Sequence, residues 1–270
     1  MRASVSAAIV FVILVLMMSP ARAAITVTTI ASVGNKTAEA STASPAVSPG
    51  AAVGDLVLVS IGADNAGTNG VSSVTGVSDS KGNTYTPVKE QNRTAASAAN
   101  DGCTVSLYQS ILTAALVSGI DTITVSFSPN TTAKAIVFSR VTGANTSNYA
   151  NNSAAGSGAS FTSGGATPSL ATADLIVGVA ANESGTAPGT DTDTTNGLWD
   201  NFGQASGGTG GDATKMGVRF NWKVVTGAGA QTYDGSTGAS TDWAALYALY
   251  AVSGGAPPAP PMRSLLGVGN

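Results

Sequence analysis

The arrangement in this chain closest to a chemical site is a pair of carboxylates two residues apart, Asp191-Thr192-Asp193, followed by Thr194-Thr195-Asn196. Oxygen donors at alternate positions are what a hard cation such as Ca2+ takes. The run lacks the internal glycine and terminal glutamate of an EF-hand loop. The expectation is therefore a plain polar loop, with an irregular Ca2+ site at Asp191 and Asp193 as the alternative. Asp79 with Asn83 is a weaker candidate and reads as hairpin chemistry.

Catalytic groups are scarcer. The chain has no histidine, which removes the usual Ser-His-Asp and Cys-His arrangements and the commonest zinc ligand. Cys103, the one cysteine, has no histidine to act as its base. A glycosidase needs only two carboxylates, and Glu39, Glu90, Glu183 and twelve aspartates are present, but in no recognisable spacing. The glycine run at 207–211 lacks the Lys-Ser/Thr that a phosphate-cradling loop requires. No catalytic residue is assigned, the protein is expected not to be an enzyme, and no cofactor beyond the possible Ca2+ is expected.

Binding chemistry offers an aromatic set. Tyr108 sits on the polar side of an alternating segment, while Trp199 and Phe202 lie in a long polar stretch; together they are the candidate carbohydrate platform, since exposed rings stack on sugar faces. Trp222 and Trp243 read as structural. Asn-x-Ser/Thr sequons at Asn35, Asn92, Asn130, Asn145, Asn151 and Asn182 are expected by chance in so Ser/Thr-rich a chain.

The elements that must carry these residues are strands. Val, Ile and Thr alternate with polar residues, and helical spacing is nearly absent outside the N-terminus. Strands are expected near 25–32, 55–62, 84–89, 104–112, 122–128, 134–142, 174–181, 216–226, 231–234 and 243–253, separated by Gly, Asn, Ser and Pro clusters such as Asn69-Gly70 and Asn196-Gly197. Alternation puts Cys103, Val105, Leu107, Gln109 and Ile111 on one side, as it does Met216, Val218, Phe220, Trp222 and Val224. These sides are expected to be core. Thr104, Ser106, Tyr108 and Ser110, and Gly217, Arg219, Asn221 and Lys223, are expected in solvent.

Three segments recur in order. Gly54-Asp55-Leu56-Val57-Leu58-Val59 returns as Ala173-Asp174-Leu175-Ile176-Val177-Gly178. The segment at 105–113 returns at 218–226, and that at 135–143 at 246–254. Two related halves, about 24–143 and 144–254, closing over one core make an all-β, two-layer antiparallel, jelly-roll-like sandwich; two tandem small sandwiches are the alternative.

The same order of segments resembles a loosely defined group of duplicated jelly-roll-like β-sandwich modules from bacterial extracellular and phage-associated proteins. Its marks here are Gly54-Asp55-Leu56-Val57, then Asp79-Ser80-Lys81-Gly82-Asn83-Thr84-Tyr85, then strands at 105–112, 122–127 and 133–141, with a weaker echo out to Ser253. The resemblance implies the fold and carries over no catalytic residue.

The ends set the context. Arg2, the twelve apolar residues from Ala7 to Met18, and Ala21-Arg22-Ala23 read as a signal peptide over 1–23, too short for a membrane span of about 20 residues. Removing it leaves 247 residues with 10 basic and 15 acidic side chains, net −5. No basic patch offers itself to nucleic acid. Residues 255–270 are a Pro-rich linker and short tail. The expected protein is secreted or on the cell surface, structural or adhesive, with no membrane span in the mature chain. Its expected partners are a surface glycan, another protein or copies of itself. The alternatives are a carbohydrate-binding module and a fibre subunit assembled by strand addition, with 25–32 as the donor segment.

Overall fold

The computed structural model describes residues 24–64, 74–93, 102–207 and 215–252; the signal segment, the Asn69-Gly70 turn and the Pro-rich tail lie outside them. The described residues form strands and no helix, so none contains a helix long and apolar enough to cross a membrane. In chain order they are β1 (Thr26–Asn35), β2 (Glu39–Ala43), β3 (Leu56–Asp64), β4 (Val74–Asp79), β5 (Thr86–Asn92), β6 (Cys103–Ile111) and β7 (Ile123–Thr131). After these come β8 (Lys134–Thr142), β9 (Ala144–Thr162), β10 (Leu175–Asn182), β11 (Asp200–Gly207), β12 (Met216–Val224) and β13 (Asp234–Val252).

Two five-stranded antiparallel sheets face each other, as the sandwich expectation requires. The first runs β1-β8-β3-β6-β5 and the second β9-β13-β10-β12-β11. Leu56, Leu58, Val105, Leu107 and Val137 of the first meet Leu175, Val177, Phe220, Leu246 and Tyr250 of the second in one core. The sheets approach so closely at Gly62 that a Cβ there would lie 3.1 Å from Ala181, 3.2 Å from Val218 and 3.3 Å from Met216.

A third sheet, β2-β7-β4, covers the far face of the first. Val57, Val59, Ile61, Tyr108, Ile136 and Phe138 pack there against Val74, Ile123, Val125 and Phe127. Every residue of β3 is therefore buried, because alternate side chains enter two different cores. This layer corrects the assignment of solvent-facing residues: Thr104, Ser106, Tyr108 and Ser110 all lie under it or under adjoining loops and are buried.

Among the described residues, no sheet covers the far face of the second sheet. It is covered by the segments around 163–174, 183–199 and 225–233, with Phe161, Leu170, Trp199, Val225 and Tyr233 packed on Ile176, Ala180, Tyr247 and Leu249. Arg219, Asn221 and Lys223, also expected in solvent, are consequently buried at 8%, 0% and 1% exposure. Trp222 points the other way and is half-buried against the central core.

Strand for strand, the two facing sheets have the same order, with β3 and β10 at their centres. Register relates Leu56 to Leu175 and Val105 to Val218, as the sequence matches do. The third match is two residues off. Gly62 pairs with Ala135 and Ala181 with Ala244, so Ala135 corresponds to Ala244 rather than Leu246. A slip of two keeps every side chain on its face, which is why patterning alone does not detect it.

The same hook precedes both central strands. The Asp55 carboxylate accepts the Ala52 N–H at 2.8 Å, and the Asp174 carboxylate accepts that of Ala171 at 2.9 Å. Gly54 and Ala173 then donate to the carbonyls of Leu112 and Val225, and Leu112 and Val225 donate back to Asp55 and Asp174.

Candidate functional site

Three of the residues expected to do chemistry, Asp191, Asp193 and Trp199, gather around a lysine. The long segment before β11 is tied down on β12 by Lys223, whose ammonium donates to the Thr195 carbonyl at 3.0 Å and to Gln231 Oε1 at 2.6 Å. It also stands 3.9 Å from Asp193 Oδ2 and 4.9 Å from the centre of the Trp199 ring. Burial pulls this ammonium below its usual range, while the charges of Asp193 and Asp191 hold it up.

Asp191 is 3% exposed, and its carboxylate accepts the N–H groups of Asp193 at 2.7 Å and Asp234 at 3.0 Å. Burial raises its pKa, against the pull of those two donors. Asp193 accepts the Thr195 N–H at 2.8 Å, which with its neighbours lowers its pKa. Both carboxylates are thus folded into turns whose nearby cation is Lys223. Among the described residues, no three metal-ligating side chains converge.

The aromatic platform is taken apart. Tyr108 is 8% exposed in the core beneath the third sheet; the alternation places it on the correct face, but that face is covered. Trp199 is 6% exposed, with its ring 5.0 Å from Tyr233. Phe202 falls on β11, and its side chain lies outside the described residues. Neither Tyr108 nor Trp199 offers a face to a sugar.

Cys103 points into the core, as alternation predicts, with its Sγ 3.8 Å from the Ala181 carbonyl. Burial, then the charges of Glu183, Asp242 and Asp64, push its pKa far above the ordinary thiol value, outweighing Arg93. A thiol kept protonated in this way is not a nucleophile.

The hairpin motif at Asp79–Asn83 has a structural use. Asp79 accepts the N–H groups of Lys81 at 2.9 Å and Asn83 at 3.1 Å, the Asn83 amide at 2.8 Å and the Tyr85 hydroxyl at 3.0 Å. Asn83 in turn accepts the N–H groups of Thr113 and Ala114 and donates to the Ala114 carbonyl. One turn is thereby fastened to the loop after β6.

A groove that the sequence did not signal lies between β9 and β13. The two strands form a ribbon whose register shifts between Ser236 and Thr241. Past that shift Phe161 packs against Tyr233 in the cluster on the outer face of the second sheet, ring centres 5.2 Å apart. Beside the shift lies a cavity of about 540 Å3 lined by Ser157, Ser160, Phe161, Thr162, Asp234, Gly235 and Trp243. The Trp243 indole lies on Gly156, where a Cβ would come within 2.7 Å of the ring. The lining contains one carboxylate, three hydroxyls, two aromatic side chains and no basic residue.

A scan against protein-family models found no match, and neither did searches of the curated proteins and of the solved structures.

Proposed function

We propose that this chain is an exported, non-enzymatic β-sandwich of the bacterial cell surface or surroundings, acting by adhesion or as a structural component. Export rests on the N-terminal segment 1–23, and the resemblance to extracellular sandwich modules points the same way. The observation that carries the reading is how the inner charged groups are used. Lys134 donates to the carbonyls of Thr37 and Thr131, Arg219 to that of Pro188 and Lys223 to that of Thr195. Asp121 holds the Val117 N–H and the Ser80 hydroxyl. Groups that an enzyme would aim at a substrate here brace loops on a scaffold.

Cell fractionation and N-terminal sequencing test the location: the mature chain is expected outside the cytoplasm, beginning at Ala24. Beads coated with that protein are expected to retain host cells or surface polymer, and glycoside and ester substrates are expected to show no turnover above blank. Recovery from the cytoplasm with Met1 retained, or a measurable kcat, defeats the proposal.

A fibre subunit is the second reading, and β9 favours it. This 19-residue strand is the outer member of its sheet and contains neither a charged residue nor proline, the devices that usually blunt an edge. The proposed donor is less free: β1 is paired with β8 along its length. A charge at the edge, Ser157→Lys, would abolish polymers seen by negative stain; polymers unaffected by it would end this reading.

A further inference from the structure

We propose that the groove between β9 and β13 binds a neutral saccharide, giving the adhesive surface its ligand class. This rests on the adhesive reading but adds a site. Asp55, Asp79, Asp121, Asp174, Asp191 and Asp193 all accept hydrogen bonds from the protein. Asp234 differs: its carboxylate is exposed and, among the described residues, accepts no hydrogen bond. The Ser157 and Ser160 hydroxyls beside it are likewise exposed and unengaged. Three polar side chains with open valences therefore converge on one concavity.

Their chemistry selects the ligand. A carboxylate only accepts, and a serine hydroxyl both donates and accepts, so the complement is a molecule with adjacent hydroxyls. Phe161 and Trp243 form the apolar side of the groove. They are 2% and 7% exposed, too deep to offer a stacking face, and leave the hydrogen bonds to carry binding. With Asp234 present and no lysine or arginine in the lining, an anionic ligand is disfavoured. The cavity, about 540 Å3, falls within the range of small-molecule sites. Few contacts and an open mouth set the expected Kd on the order of 1 mM for a single sugar, strengthened by multivalent display.

Saturation-transfer NMR on the full mature chain tests this with methyl glycosides of glucose, galactose, mannose and N-acetylglucosamine, and with methyl glucuronide as the anionic control. At least one neutral glycoside is expected to bind and the glucuronide is not. Asp234→Asn is expected to weaken that binding at least tenfold, and Ser160→Trp, filling the groove from its exposed rim, to abolish it. Both variants are expected to keep the parent Tm, which separates a lost ligand contact from lost folding. Absence of binding by every neutral glycoside, or binding untouched by both substitutions, overturns the proposal. Beads coated with the Ser160→Trp protein separate the two claims: if they still hold cells, adhesion stands and the groove is not its site.

Discussion

The two facing sheets share a strand order and a central hook, yet they hide their outer faces by different means. The first is covered by a sheet, with Phe138 and Val59 packed on Val125 and Phe127. The second is covered by loops, held by Lys223, Arg219 and Asp191 and filled by Tyr233 and Trp199. Central strands show the same contrast. Val59 lies between Tyr108 and Phe138, whereas its counterpart Gly178 lies between Asn221 and Tyr247. A Cβ at Gly178 would come within 2.5 Å of Tyr233. Where one face carries a side chain to meet a sheet, the other omits it to admit a ring from a loop. The covering sheet satisfies most of its backbone through its own ladder and adds Lys134 at its margin, bonded to Thr37 and Thr131. A loop cap must satisfy its backbone piecemeal and does so with Lys223, Arg219 and Asp191.

The largest expected effect breaks the comparison at its strongest point. Phe138 is fully buried between the first and third sheets, so Phe138→Ala should cost about 3–5 kcal/mol and lower the Tm of the whole molecule. Lys223→Met should cost less, about 1–3 kcal/mol, by leaving the Thr195 carbonyl and Gln231 without their donor. Hydrogen exchange should then show faster exchange at the amides of Asp193, Thr195 and Asp234, with both sheets still protected. If Lys223→Met exposes the sheets as thoroughly as Phe138→Ala, the loop cap is as integral to the fold as the third sheet.

Gly178→Ala comes next. Its new methyl group must displace Tyr233, whose hydroxyl is bonded to Asn221 and whose ring touches Phe161 and Trp199. The expected cost is about 1–3 kcal/mol from overpacking. Adding Tyr233→Leu should return part of it, so a double-mutant cycle from denaturant melts should show coupling. Additive losses would mean that Tyr233 is not seated on Gly178.

These contrasts explain what could be read in advance. The strands rich in Val, Ile and Leu were legible: β3, β6, β8, β10 and β12 fall within one or two residues of their expected places. β9 was not. Its Asn, Ser, Ala and Gly have weak strand propensity and no alternation, and only pairing along the apolar β13 makes it a strand. β2, β4 and β11 are short and hold Gly or Ala where a strand signal needs bulk. Because β2 and β4 were missed, the third layer was missed, and with it the burial of Tyr108. Alternation tells which face a residue is on; it does not tell whether that face is covered. The groove escaped for the same reason, since its walls come from β9 and from the stretch of β13 beside its register shift.

The smallest effect is the sharpest test of correspondence, because it exchanges one residue between the hooks. Gly54 has a φ of 88° and Ala173 a φ of 75°. Both sit in the left-handed region, where a Cβ crowds the following carbonyl at a cost of about 1–2 kcal/mol. Glycine avoids that cost but loses about 0.5–1 kcal/mol of chain entropy on folding. Ala173→Gly should therefore stabilise by about 0.5–1 kcal/mol, and Gly54→Ala should destabilise by a similar amount. Nothing lies within 4 Å of a Cβ at Gly54, so its cost should be purely conformational. Chemical denaturation of both variants measures this directly. Opposite signs of similar size mean that the two turns are equivalent in energy as well as in hydrogen bonding. A loss at both positions would mean that the Ala173 methyl makes contacts of its own, setting the second hook apart from the first.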